Sequence, residues 1–197
     1  MILIDGEFYA PDLFLNTILL FFPIFVGFIL LIIWKLAKKQ KQNWLKAILF
    51  TFFLIYLYKL ADYTIFPISI INSTIIENSS SYGTGYMFEK NPFELLSTLT
   101  YYSAYNLLGN ILLFVPYGFF VPLLFSSFNN LKRIFFSSFI FSIFIETTQL
   151  ILNYFYLGNR VFDVMDLVTN VLGGVIGFYL FKICNKLLEL ENSIEIK

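Results

Sequence analysis

Residues 13–34 read LFLNTILLFFPIFVGFILLIIW, and residues 35–46 read KLAKKQKQNWLK. The first stretch carries no charge over a length that meets the ~20 helical residues needed to cross a hydrocarbon core of roughly 30 Å. Directly behind it stand Lys35, Lys38, Lys39, Lys41 and Lys46, and such a basic loop marks the cytoplasmic side. Together they predict a helix that enters the membrane from outside and leaves it inside. Working outward, further apolar runs begin near Trp44, Tyr105, Arg133 and Val164. The second runs from Trp44 to Phe66 and carries Lys59 and Asp62, spaced i,i+3 so that they can pair on one helix face. Lys132 and Arg133 mark the next inner loop, and Lys182, Lys186 and Lys197 the C-terminal side, against Lys90 and Arg160 outside. The fold expected is all-α: a polytopic membrane helical bundle of about five transmembrane helices, N-terminus out and C-terminus in. It is read as a single membrane domain over residues 1–197, with no internal repeat.

Composition agrees and excludes. Of 197 residues, 58% are apolar and only 13% charged, with a mean hydropathy of +0.77, far from a soluble domain. Formal net charge is zero, which provides no basic surface for nucleic acid. There is no histidine, so Ser-His-Asp and Cys-His catalysis are excluded, as is the commonest metal ligand. Cys184 is the single cysteine, too few for a disulfide framework or thiolate metal site, and is read as packing. The N-terminal MILIDGEFYAPD is acidic and lacks the features of a cleaved signal, so the first apolar run is expected to stay as an anchor. Residues 67–100 and 154–162 are expected as outer loops, and the 26 phenylalanines and 13 tyrosines as lipid-facing bulk.

Polar residues are costly against this background, and the topology places them toward the outer half of the bilayer. Asn106 and Asn110 share a helix face, with Gly109 expected to allow close helix approach, followed by Pro116, Gly118 and Pro122 as kink formers. Glu146 lies thirteen residues beyond Arg133, roughly 20 Å into the membrane, where it must have a partner or be neutral. Gln149 and Asn153 follow on its face to share that burden. Arg160 lies in the next loop, and Asp163, Asp166 and Asn170 open the fifth span along one face. Gly173 and Gly177 form a small-xxx-small pair suited to packing, with Gly174 between them.

NLLGNILLFVPYGFFVPLLF (residues 106–125), the glutamate and glutamine of IETTQL (145–150), RVFDVMDLVTNVLGG (160–174) and NPF at Asn91 to Phe93 resemble the VanZ-like family of small bacterial membrane proteins. The resemblance covers about Tyr56 to Phe181, and its motif positions here are Asn106, Gly109, Asn110, Pro116, Gly118, Glu146, Gln149, Arg160, Asp163, Asp166, Asn170, Gly173 and Gly174. It implies a role in the envelope of Gram-positive bacteria and, from the family's founding member, low-level resistance to the glycopeptide antibiotic teicoplanin.

Two classes of function stay open. In the first, the chain is an enzyme or binding protein for an outer-leaflet lipid or lipid-linked envelope component. Arg160 would hold a phosphate, Glu146, Asp163 or Asp166 would move a proton, and Asn106, Asn110, Gln149 and Asn170 would bind substrate. A variant has Asp163, Asp166 and Glu146 hold a divalent cation. In the second, the chain is not an enzyme: its polar network is structural, and it binds a lipid or glycopeptide tail or moves a small solute. Oligomeric state is not specified by either.

Overall fold

The computed structural model describes residues 1–38, 44–79, 88–89 and 101–195. Five of its helices are long and apolar enough to cross a membrane, and the all-α expectation holds; the strands are two or three residues long. By contacts the chain divides into two compact units, one of Met1–Phe88 and Ile145–Phe162, the other of Glu89–Phe144 and Asp163–Lys197.

The first unit opens on a hairpin, β1 (Ile2–Ile4) with β2 (Glu7–Tyr9), paired antiparallel with Leu3 opposite Phe8. Its turn is Asp5-Gly6, both at positive φ (50° and 87°), the combination that a two-residue type I′ turn requires. Alternation sends Ile2 and Ile4 inward, where they are buried with Ile71 and Tyr156. Next comes β3 (Leu13–Leu15), antiparallel to β4 (Ile68–Ile70). Leu13 is therefore strand, and helix α1 begins only at Thr17 and runs to Ala37. Apolarity alone could not separate the two, because an unbroken apolar run suits a strand as well as a helix. Thr17 marks the change: its side chain is buried and its Oγ1 donates to Asp62 Oδ1 at 2.5 Å.

Helix α2 (Trp44–Thr64) ends two residues before the expected Phe66. The Lys59–Asp62 pair forms as read, at 3.6 Å, so Asp62 serves both a lysine on its own helix and a threonine on α1. Beyond β4, α3 (Ser73–Glu77) is capped by Asn72, whose side chain accepts from Thr74 N at 3.1 Å. An extended pair, β5 (Phe88–Glu89), closes this part of the chain.

In the second unit α4 (Tyr101–Leu124) runs unbroken through Pro116 and Pro122. It packs against α6 (Val164–Glu195), which follows the two-residue β6 (Phe162–Asp163). Glycine makes that packing possible. A Cβ on Gly118 would stand 2.7 Å from the carbonyl carbon of Gly174, one on Gly173 3.0 Å from that of Ile111, and one on Gly177 2.9 Å from that of Val115. Packing is thus the role of Gly173 and Gly177, as read. Gly109 departs from its expectation, having nothing within 4 Å of its Cβ position.

Helix α5 (Leu131–Tyr154) contributes residues up to Phe144 to the second unit and from Ile145 to the first. Asn130 Oδ1 accepts from Lys132 N at 2.9 Å at its start, and Arg133 donates to the Ser127 carbonyl. Phenylalanines divide between roles: Phe114, Phe178 and Phe181 are buried, whereas Phe135, Phe136, Phe139 and Phe144 are exposed, so lipid-facing bulk describes only part of the excess. Cys184 is exposed, not packed inside, because its position on α6 falls on the outward face beside Ile183 and Leu187. The NPF at Asn91 to Phe93 and Lys90 lie outside the described residues.

Candidate functional site

In the first unit the polar residues converge on the C-terminal end of α2. A helix leaves its last carbonyls without intrahelical donors, and here two are met from elsewhere. Gln149 Nε2 donates to the Thr64 carbonyl at 2.6 Å, and Arg160 Nη2 to the Tyr63 carbonyl at 2.7 Å. A guanidinium at this end also complements the negative pole of the helix. Asn153, fully buried, donates through Nδ2 to the Arg160 carbonyl at 2.8 Å. Arg160 is thus held at its backbone by Asn153 and at one amino group by Tyr63, while its side chain stays exposed.

Glu146 is 1% exposed and is not without a partner. Gln149 and Asn153, expected to share the burden of Glu146, each also donate to a backbone carbonyl. Glu146, Gln149 and Asn153 do share one buried face of α5. That face continues toward the helix start as Ser142 and Ser138, both fully buried. Sequence reasoning passed over these serines although they extend the same i,i+4 stripe, because a hydroxyl costs little on a membrane helix where it can bond a carbonyl of its own preceding turn.

In the second unit Asn110 Nδ2 donates to Asp166 Oδ1 at 2.5 Å, tying α4 to α6. One turn further along α6, Asn170 Nδ2 donates to Ser142 Oγ at 2.9 Å. Asn170 Oδ1 and Ser138 Oγ are buried with no hydrogen-bond partner among the described residues. Asp163 Oδ1 accepts from Met165 N at 2.7 Å, the N-cap arrangement that Asp favours, and it too has further interactions. Asn106 is exposed.

Among the described residues no three Asp, Glu, Cys or His side chains lie so as to hold a metal ion, and Asp163 and Asp166 each commit one oxygen to a hydrogen bond.

The Gln149 bond carries a stability prediction. Gln149→Ala leaves a buried carbonyl at Thr64 without its donor, and a loss of about 1 kcal/mol is expected, read as a lowered thermal midpoint in detergent. An unchanged midpoint would mean that the carbonyl finds another donor.

No curated protein and no solved structure matches the chain. The family model described as VanZ/LLP1 matches residues 53–185, a span that encloses the Tyr56 to Phe181 core read from the motifs and takes in α4, α5, more than half of α2 and nearly all of the spanning part of α6. The match covers more than half of this multi-pass membrane chain, and the chain belongs to the VanZ/LLP1 family.

Proposed function

We propose that the chain resides in the bacterial cytoplasmic membrane, N-terminus outside and C-terminus inside. There it binds or acts on an anionic outer-leaflet lipid or lipid-linked envelope component, and thereby raises tolerance of glycopeptides such as teicoplanin at a low level. The orientation follows from the basic residues that flank the even-numbered spans on one side. The observation that carries the reading is the setting of Arg160: exposed, yet tethered at one amino group by Tyr63 and through its carbonyl by Asn153. A guanidinium held in one place with donors to spare is suited to a phosphate oxygen pair.

In the first unit Glu146, with Gln149 on the same buried face, is the proton-transferring candidate. In the second unit Asp163 and Asp166 are the corresponding acids, with Asn106, Asn110 and Asn170 as ligand-orienting groups. Whether these residues perform a reaction or only hold the lipid separates the enzyme from the binding protein.

A second reading has an observation of its own. The amides of Asn110, Gln149, Asn153 and Asn170 all bond within the protein, as a purely structural network would require.

One experiment separates them: teicoplanin susceptibility of a host expressing the wild type, Glu146→Gln, Arg160→Ala or Asp166→Asn, with membrane abundance measured in parallel. Loss of tolerance at undiminished abundance supports the lipid site. Tolerance that tracks abundance supports the structural network, and a wild type without effect removes the glycopeptide role.

A further inference from the structure

We infer that the N-terminal hairpin, acting through Asn159, is the positioning device for Arg160. The inference deepens the anionic-lipid reading and rests on it for the role of Arg160. Loops between membrane helices move by default, so a guanidinium can discriminate a headgroup only if something fixes the loop that carries it. The loop after α5 is fixed at four successive points.

Tyr156 adopts a left-handed backbone, φ 58°, and is held there by burying its ring against Ile2, Ile4 and Ile71 and by sharing a 2.9 Å hydrogen bond between its Oη and Ser79 Oγ. The Leu157 carbonyl accepts from Ser69 N at 2.9 Å. Asn159 then reads the outer edge of β1 with both ends of its amide. Its Oδ1 accepts from Leu3 N at 3.2 Å and its Nδ2 donates to the Met1 carbonyl at 2.6 Å, as a neighbouring strand would. The Arg160 carbonyl is taken by Asn153. Hairpin, loop and guanidinium therefore form one connected set of contacts inside the first unit. The hairpin lies outside the residues matched by the family model, 53–185, whereas Tyr156, Asn159 and Arg160 lie within them.

The test uses the full-length protein and Asn159→Ala, Asn159→Asp, Arg160→Ala and a deletion of residues 2–9, each in vesicles containing phosphatidylglycerol. Three quantities are read: amide exchange over residues 157–161, retention of phosphatidylglycerol through purification, and thermal midpoint. Asn159→Ala removes two hydrogen bonds to the hairpin and is expected to speed that exchange about tenfold. Phosphatidylglycerol retention should fall several-fold while the thermal midpoint hardly moves. Asn159→Asp keeps the acceptor for Leu3 N and should recover part of both. The hairpin deletion should match Asn159→Ala in exchange and lipid retention, with a lower thermal midpoint because it also removes the buried Ile2 and Ile4.

Exchange left unchanged by Asn159→Ala and by the deletion overturns the inference. So does faster exchange with full lipid retention, if Arg160→Ala loses the lipid. Full retention by Arg160→Ala itself sinks the anionic-lipid reading alone, and the faster exchange would still support the clamp on the loop.

Discussion

Replacing Gly118 by alanine is expected to lower membrane abundance severalfold and to destabilise the protein by about 3 kcal/mol. The added carbon would meet the backbone of Gly174, 2.7 Å from its carbonyl carbon and 2.9 Å from its Cα. Backbone cannot swing aside as the end of a long side chain could, so α4 and α6 must move apart. Membrane helices have no hydrophobic drive to reassociate at a larger spacing, because lipid tails are as apolar as the helix faces. Separation therefore forfeits packing along the whole seam, including the contacts that Gly173 and Gly177 make with Ile111 and Val115.

Gly109→Ala is the control within the same helix. Nothing lies within 4 Å of its Cβ position, so the substitution should be neutral or stabilise by up to about 1 kcal/mol through helix propensity. Equal losses at Gly109 and Gly118, measured by thermal midpoint and abundance, would overturn this account of the α4–α6 contact.

Those two glycines also show what could be read beforehand. Nine residues apart in one motif, they look alike in sequence, since spacing gives a helix face but not which face has a neighbour. The spans were legible because about 20 mostly apolar residues have few other solutions, and the pairing of Lys59 with Asp62 because i,i+3 is a local relation. Leu13–Leu15 was not legible as strand, since its partner Ile68–Ile70 lies more than fifty residues away. The hairpin was legible: Asp5-Gly6 between the short runs Ile2–Ile4 and Glu7–Tyr9 is a strong turn signal. Among the polar residues, the stripe on α5 could be read from its period. The partners of Gln149 and Arg160 could not, since carbonyls at the end of α2 carry no mark in the sequence.

Arg160→Lys is expected to fail almost as completely as Arg160→Ala, retaining on the order of a tenth of wild-type tolerance at undiminished abundance. The guanidinium has five donors in a rigid fork, and one amino group is placed on the Tyr63 carbonyl. The rest of the fork can then face a phosphate in fixed geometry. A lysine has one nitrogen on a flexible stem. If that nitrogen caps the end of α2 it is drawn away from the headgroup, and if it reaches the headgroup the α2 end loses its cation, so either choice removes half of the role proposed for the arginine. Stability should hardly separate the two residues, because the Tyr63 bond is exposed and such a bond contributes about 1 kcal/mol or less. The measurement is susceptibility with abundance and thermal midpoint for wild type, Arg160→Lys and Arg160→Ala side by side. Tolerance of Arg160→Lys equal to wild type would show that a point charge is enough, and the bidentate phosphate role would be lost. A midpoint falling with tolerance in both variants would make Arg160 a cap for α2 and nothing more, the outcome that the structural-network reading requires.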